Sequence, residues 1–148
     1  VRAIEETRMA YWLMKSEPDV FGWDDQVKRG AKGEPWTGVR AHAAKLNLMK
    51  MKKGDKAFFY HSNIGKEIVG VVEIAKEAYP DPTAEAGAPW VCVDTVALTP
   101  FKTPVTLDAV KADPKLSEMA LIKFSRLSVQ PVTADEWKHI CKLGGVKG

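Results

Sequence analysis

The chain has 148 residues, 45% of them apolar and 28% charged, with a formal net charge of +3. This is the make-up of a single ordinary domain, with enough chain to bury a core without staples and too little for the two full domains of a multi-domain enzyme. No apolar run reaches the ~18 residues a membrane span needs, and no charged-then-apolar start reads as a signal peptide, so a cytoplasmic chain is expected, or a nuclear one in a eukaryote.

Residues 1–8 carry no apolar period, and Met9 directly precedes the first apolar run. They are expected to be a leader outside the fold, with 9–148 forming one domain and Met9 as the natural start. Tyr11-Trp12-Leu13-Met14 reads as a first strand, ended by the turn signal Lys15-Ser16-Glu17-Pro18-Asp19. A short helix follows from about Asp24 to Arg29, acidic at its start and basic at its end as the helix dipole prefers. From Val39 to Met51 the chain is rich in Ala, Leu, Met and Lys and lacks Gly and Pro, which favours helix. Lys56 to Ser62 has the aromatic density of a strand. From Ile68 to Ala78 the chain alternates, placing Ile68, Gly70, Val72 and Ile74 on one face of a half-buried strand that Pro80 and Pro82 cannot continue. Trp90 to Leu98 is apolar on nearly both sides, as a central strand would be. Thr106 caps a helix over Leu107 to Ala112, and a short turn follows around Leu116 to Ala120. Ser125 to Val129 reads as a last strand closed by Pro131. Thr133 and Glu136 form a capping box, behind which Trp137, Ile140 and Cys141 share one face of a terminal helix. Strands this numerous, without regular crossover helices, predict an α+β fold: a small, strongly curved, mainly antiparallel sheet or barrel with helices packed around it.

The net charge hides an asymmetry. Nine basic and two acidic residues give Lys28 to Lys56 a charge of +7, leaving −4 for the rest. A local excess of that size is the electrostatic footprint of a phosphate-backbone contact, and it is also what a solvated lysine-rich helix looks like. Catalytic constellations are absent. Cys92 and Cys141 stand far apart and share no ligand register with His42, His61 or His139, so no metal site is expected, and both cysteines read as core. Neither Ser16 nor Ser62 has a nucleophile-elbow pattern, and no phosphate-cradling glycine loop is present. What stands out are polar residues beside aromatics at strand ends: Trp12 with Lys15 and Ser16, Trp36 with Arg40, and Tyr60-His61-Ser62-Asn63.

Trp12 to Asp19, Trp36-Thr37-Gly38-Val39-Arg40, Phe58 to Asn63, Ile68-Val69-Gly70, Tyr79-Pro80-Asp81-Pro82-Thr83 and Arg126-Leu127-Ser128-Val129-Gln130-Pro131 occur in an order that resembles the EVE domain family, from about Tyr11 to Leu143. The resemblance implies a PUA-like pseudo-barrel of mixed, mainly antiparallel strands flanked by helices, related to the YTH readers of methylated adenine. It further implies a non-enzymatic reader that binds a modified nucleobase of DNA or RNA in an aromatic-lined pocket. One departure is visible: where the family commonly carries Asn after the Arg40 position, Ala41-His42 stands here, and any ligand contact of that Asn is lost.

On this reading a base leaves its stack and is held by stacking and by bonds to its edge. Trp12 and Trp36 would offer the flat surfaces. Lys15, Ser16, Arg40, Tyr60, His61, Ser62, Ser128 and Gln130 are the candidates for base or phosphate contacts. Lys45, Lys50, Lys52 and Lys53 would follow the nucleic-acid backbone and make binding salt-dependent. Each residue has a plainer role open to it: Ser16 as a turn cap, Gln130 at a strand end, Trp12 in the core. No cofactor, metal or membrane partner is expected, and the expected state is a monomer. Two other functions compete. One is a general RNA-binding module of the PUA type, indifferent to modification. The other is a small hydrolase of nucleosides or RNA, with His61 and Lys15 as acid and base.

Overall fold

The computed structural model describes residues 9–147, so the expected leader over 1–8 lies outside the described residues. Six strands form one mixed sheet: β1 (Tyr11–Ser16), β2 (Glu34–Pro35), β3 (Lys56–His61), β4 (Glu67–Pro80), β5 (Val91–Thr106) and β6 (Val129–Val132), in the spatial order β2-β5-β4-β3-β1-β6. All neighbours run antiparallel except β1 and β3. A parallel pair needs a long crossover. It is supplied by the segment holding α1 (Trp23–Lys28), β2 and α2 (His42–Lys50). The mixed α+β class and the mainly antiparallel sheet agree with expectation, while the strand order stays open at β2 and β6 and does not close into a barrel.

Both faces of this sheet are buried, and strand alternation sorts the side chains between them. Leu13, Phe58 and Tyr60 point into one core with Trp137, Ile140, Cys141, Leu116 and Met119. These come from α5 (Ala134–Gly144) and the turns before it, which include α3 (Leu107–Ala112) and α4 (Ala120–Lys123). Trp137 stacks on Phe58 at 3.9 Å between ring centroids and on Tyr11 at 4.5 Å. Trp12, Met14, Ala57 and Phe59 point the other way, against Trp23, Trp36, Val39, Ala44 and Leu48 from α1, the segment after β2, and α2. The Thr133–Glu136 capping box forms as read, with Thr133 Oγ1 accepting from the Glu136 amide at 3.2 Å.

Five sequence expectations shift. β4 runs on past Ala78 to Pro80, which pairs with Val91 as the strand's last residue, so Pro80 ends the strand from within it. Ile68 does not share a face with Val72 and Ile74. Phe59 pairs with Gly70 while Tyr60 pairs with Ile68, so a bulge at Val69 turns Ile68 into the α5 core and leaves Val72 and Ile74 in the other. The strand expected over Trp90 to Leu98 runs on through Pro100 and Pro104. Beyond Thr95 it has β4 on one side only, and prolines on an open edge break no ladder. The last strand is Val129–Val132 and holds Pro131 within it, for the same reason: β6 is the edge strand beside β1. The second helix is His42–Lys50, shorter at both ends than the favourable composition.

Candidate functional site

β1 and β3 end side by side, and the chain leaves both at the same place: the Ser62 amide donates to the Ser16 carbonyl at 2.9 Å, and the Lys15 amide to the Ser128 carbonyl at 2.9 Å. Around these ends opens a cleft of about 800 Å³. One wall is the segment Glu34 to Ala41 and another holds Phe21 and Arg29. The remaining side is formed by Lys15, Ser16, Ser62, Ser125, Arg126 and Ser128.

The Trp36 wall is held firmly. Its indole is 8% exposed, edge-on to Phe59 at 5.5 Å and to Phe21 at 6.5 Å. Trp36 is therefore a fixed surface whose rotamer entropy is already spent on folding. The chain that follows is clamped by a buried carboxylate. Asp81 accepts from the Gly38 amide at 2.8 Å, from Arg40 Nη1 at 3.0 Å, and from the Thr83 amide and hydroxyl at 2.7 and 2.6 Å. Burial works against ionisation of Asp81, but the bonds from Thr83, Gly38 and Arg40 outweigh it and hold the carboxyl at about 2. Gly38 has a φ of +88°, a conformation side chains resist, so the position suits glycine. Arg40 also reaches Thr83 Oγ1 at 3.1 Å.

On the opposite side Lys15 Nζ donates to the Ser125 carbonyl at 2.8 Å, and burial lowers its pKa. Ser16 Oγ donates to the Phe21 carbonyl at 2.5 Å, so this hydroxyl both lines the cleft and ties a turn. Ala41 lines the rim where α2 begins and offers no side-chain cap, while His42 turns away to lie against Trp90 at 4.9 Å.

The cleft thus brings together Lys15, Ser16, Trp36, Arg40, Ser62 and Ser128. The other candidates sit elsewhere, each for a physical reason. Trp12 lies in the core, its indole N–H donating to Asp55 Oδ2 at 3.1 Å. Tyr60 is 4% exposed and faces the α5 core, because strand alternation sends it to the side opposite Phe59. His61 Nε2 accepts from the Trp23 amide at 3.1 Å, satisfying an N–H at the start of α1. Burial, only partly opposed by Glu67 and Asp24, lowers its pKa and favours the neutral ring that this bond requires. Gln130 is fully buried, and its Nε2 donates to the Phe124 and Leu127 carbonyls at 3.0 and 2.9 Å. It therefore shapes, from beneath, the segment carrying Ser125 and Arg126.

Lys50, Lys52 and Lys53 are far from the cleft. α2 starts at its rim and runs to the opposite end of β1, where the Lys52 amide meets Asp55 and Lys56 pairs with Tyr11. Six strand residues at about 3.3 Å each separate the two ends by about 17 Å. Lys45, one turn into α2, is nearer.

Phe21, Arg29, Asp81 and Arg126 were missed as site residues. Phe21 stands directly before the helix cap Gly22, a local position that carries no sign of a shared cleft. Asp81-Pro82-Thr83 is a turn signature, but only folding shows what the turn holds. Among the described residues no group of three His, Cys, Asp or Glu could hold a metal ion, and no helix is long and apolar enough to cross a membrane.

Known proteins resemble this chain throughout. The EVE domain family model matches residues 10–143. Rpa0253 from Rhodopseudomonas palustris is 66% identical with a TM-score of 0.88, over 93% of this chain and 94% of its own. Thymocyte nuclear protein 1 of Rattus norvegicus is 35% identical over 164 residues, covering 90% of this chain and 73% of that protein. Human THYN1 protein, solved in complex with 5-methylcytosine containing DNA, is 31% identical with a TM-score of 0.82, over 94% and 99% of the two chains.

Proposed function

The chain belongs to the EVE domain family, and from that premise we propose that it is a nucleic-acid reader that takes one modified base of a DNA or RNA strand into the Trp36 cleft. The observation that carries this reading is the pairing, within one cleft of about 800 Å³, of a rigid Trp36 and Phe21 wall with a polar side rich in hydroxyls and cations. Further support comes from the related human protein's complex with 5-methylcytosine containing DNA.

Extruding a base costs a few kcal/mol, and stacking on an aromatic returns about 1–3 kcal/mol. Because Trp36 is locked by Phe59 and Phe21, little ordering cost falls on binding. Stacking accepts any base, so selectivity falls to the polar groups around it: the Ser62 and Ser128 hydroxyls, and the backbone of Thr37 to Ala41 as Asp81 positions it. The same geometry gives little support to hydrolysis. His61 spends its Nε2 on α1 and does not line the cleft that Lys15 lines, so the acid and base of that scheme do not meet.

The test is a fluorescence anisotropy titration with short oligonucleotides bearing 5-methylcytosine, 5-hydroxymethylcytosine, N6-methyladenine or no modification. One modified strand is expected to bind at least tenfold more tightly than its plain counterpart. Trp36→Leu, with folding checked by circular dichroism, is expected to lose five- to hundredfold in affinity for it. Equal binding of all strands, together with an unchanged affinity in Trp36→Leu, would sink the reading and leave a general RNA-binding module in its place.

A further inference from the structure

Four cations line the cleft, and they divide into two pairs. Arg29 lies 2.7 Å from Glu34 and Arg40 lies 3.0 Å from Asp81, so the cations on the Trp36 side are neutralised by carboxylates. Lys15 and Arg126, on the opposite side, have no carboxylate within 4.0 Å among the described residues. Glu17, exposed, is the one acidic residue lining that side, which leaves it net positive.

The Lys15 ammonium is half-buried over the Tyr60 ring, 5.9 Å from its centroid, and its one hydrogen bond to protein, to the Ser125 carbonyl at 2.8 Å, leaves two of its three N–H groups to be matched. Burial already lowers its pKa, the mark of a charge held away from water without a counter-ion. Arg126 is exposed on the same Ser125 to Ser128 segment, which the Gln130 and Lys15 side chains fix from beneath and the Lys15 amide fixes at Ser128. Ser62 and Ser128 line the same cleft. An unneutralised ammonium, a guanidinium and two hydroxyls around one end of a cleft complement the oxygens of a phosphodiester.

We infer that this end of the cleft is a phosphate site, in which Lys15 and Arg126 grip a backbone phosphate beside the base seated against Trp36. The ligand is then a nucleotide within a strand, and a free base or nucleoside is a poor one. The inference rests on the reading above for where the base sits.

The experiment uses an oligonucleotide with a single 5-methylcytosine, in which the two phosphates flanking that base are replaced by neutral methylphosphonates. The wild-type protein is expected to bind it at least tenfold more weakly than the all-phosphodiester strand, whereas methylphosphonates three nucleotides away cost less than threefold. Arg126→Gln, at an exposed position, is expected to shrink the flanking penalty to less than threefold. Lys15→Met should do the same, with a thermal melt checking that losing the Ser125 bond has not loosened the fold. Equal wild-type affinity for flanking-methylphosphonate and phosphodiester strands overturns the phosphate site whatever the base preference. So does a flanking penalty that Arg126→Gln leaves intact. A flanking penalty that persists when none of the modified strands is preferred over its plain counterpart instead supports the phosphate site and overturns the modified-base reading alone.

Discussion

Asp81, outside the cleft and 5% exposed, ties the cleft's Gly38 to Arg40 segment to its own turn, with two of its four accepted hydrogen bonds coming from the Gly38 amide and the Arg40 side chain and two from Thr83. Its carboxyl sits at about 2 against an ordinary 3.8. A depressed folded-state pKa contributes stability that is complete above the unfolded value and lost as pH falls through the folded one. Wild-type stability is therefore expected to drop by about 2 kcal/mol between pH 4.5 and 2 from this group alone, since one pKa unit is about 1.4 kcal/mol. Urea unfolding of wild type and Asp81→Asn across that range checks it: the variant should be less stable at pH 5, and the gap should narrow as pH falls. Arg40 and Trp36 were legible as a polar-aromatic pair. Asp81 was legible only as part of a turn, because its partners at Gly38 and Arg40 are some forty positions earlier and sequence carries no signal for a bond of that span.

At the scale of elements, α1 is seated by a missing side chain. A Cβ on Gly70 would lie 2.5–2.7 Å from the Trp23 ring, which packs edge-on to Phe59 at 5.5 Å, and Phe59 in turn supports Trp36. Gly70→Ala is thus expected to cost about 1–3 kcal/mol by overpacking and to shift tryptophan fluorescence. Denaturant titration read by fluorescence and by circular dichroism measures both. The bulge beside Gly70 also explains the misassigned Ile68: period-two alternation holds only while the ladder keeps its count, and one extra residue exchanges the faces beyond it. His61 belongs at this scale as well. Beside Ser62 it reads as a ligand candidate, yet its bond to the Trp23 amide makes it a cap for α1.

Taken as a whole molecule, the basic stretch of the sequence is not one patch. Lys28 to Lys56 runs from α1 past the cleft and along α2 to the far end of the sheet, so the lysines after α2 stand at the end of β1 away from the cleft, about 17 Å along that strand. Lys52→Gln/Lys53→Gln is accordingly expected to leave trinucleotide binding within twofold. Arg126→Gln should lower the slope of log affinity against log salt by about 0.7, the value for one phosphate contact on a single strand. Titrations at several salt concentrations separate the two, and a large loss for the lysine variant with a trinucleotide would place the strand along α2 instead. The sequence by itself determined the α+β class, most strand cores, the capped terminal helix with Trp137 facing inward, and the family, because these rest on local periodicity, capping chemistry and ordered motifs. Only the tertiary structure decided which polar and aromatic residues share the cleft. Strand alternation removes Tyr60, helix capping takes His61, the core takes Trp12, and a turn more than eighty residues beyond Trp36 brings Arg126 opposite it. Convergence of this kind is fixed by strand register and crossover, and neither is written at any single position of the chain.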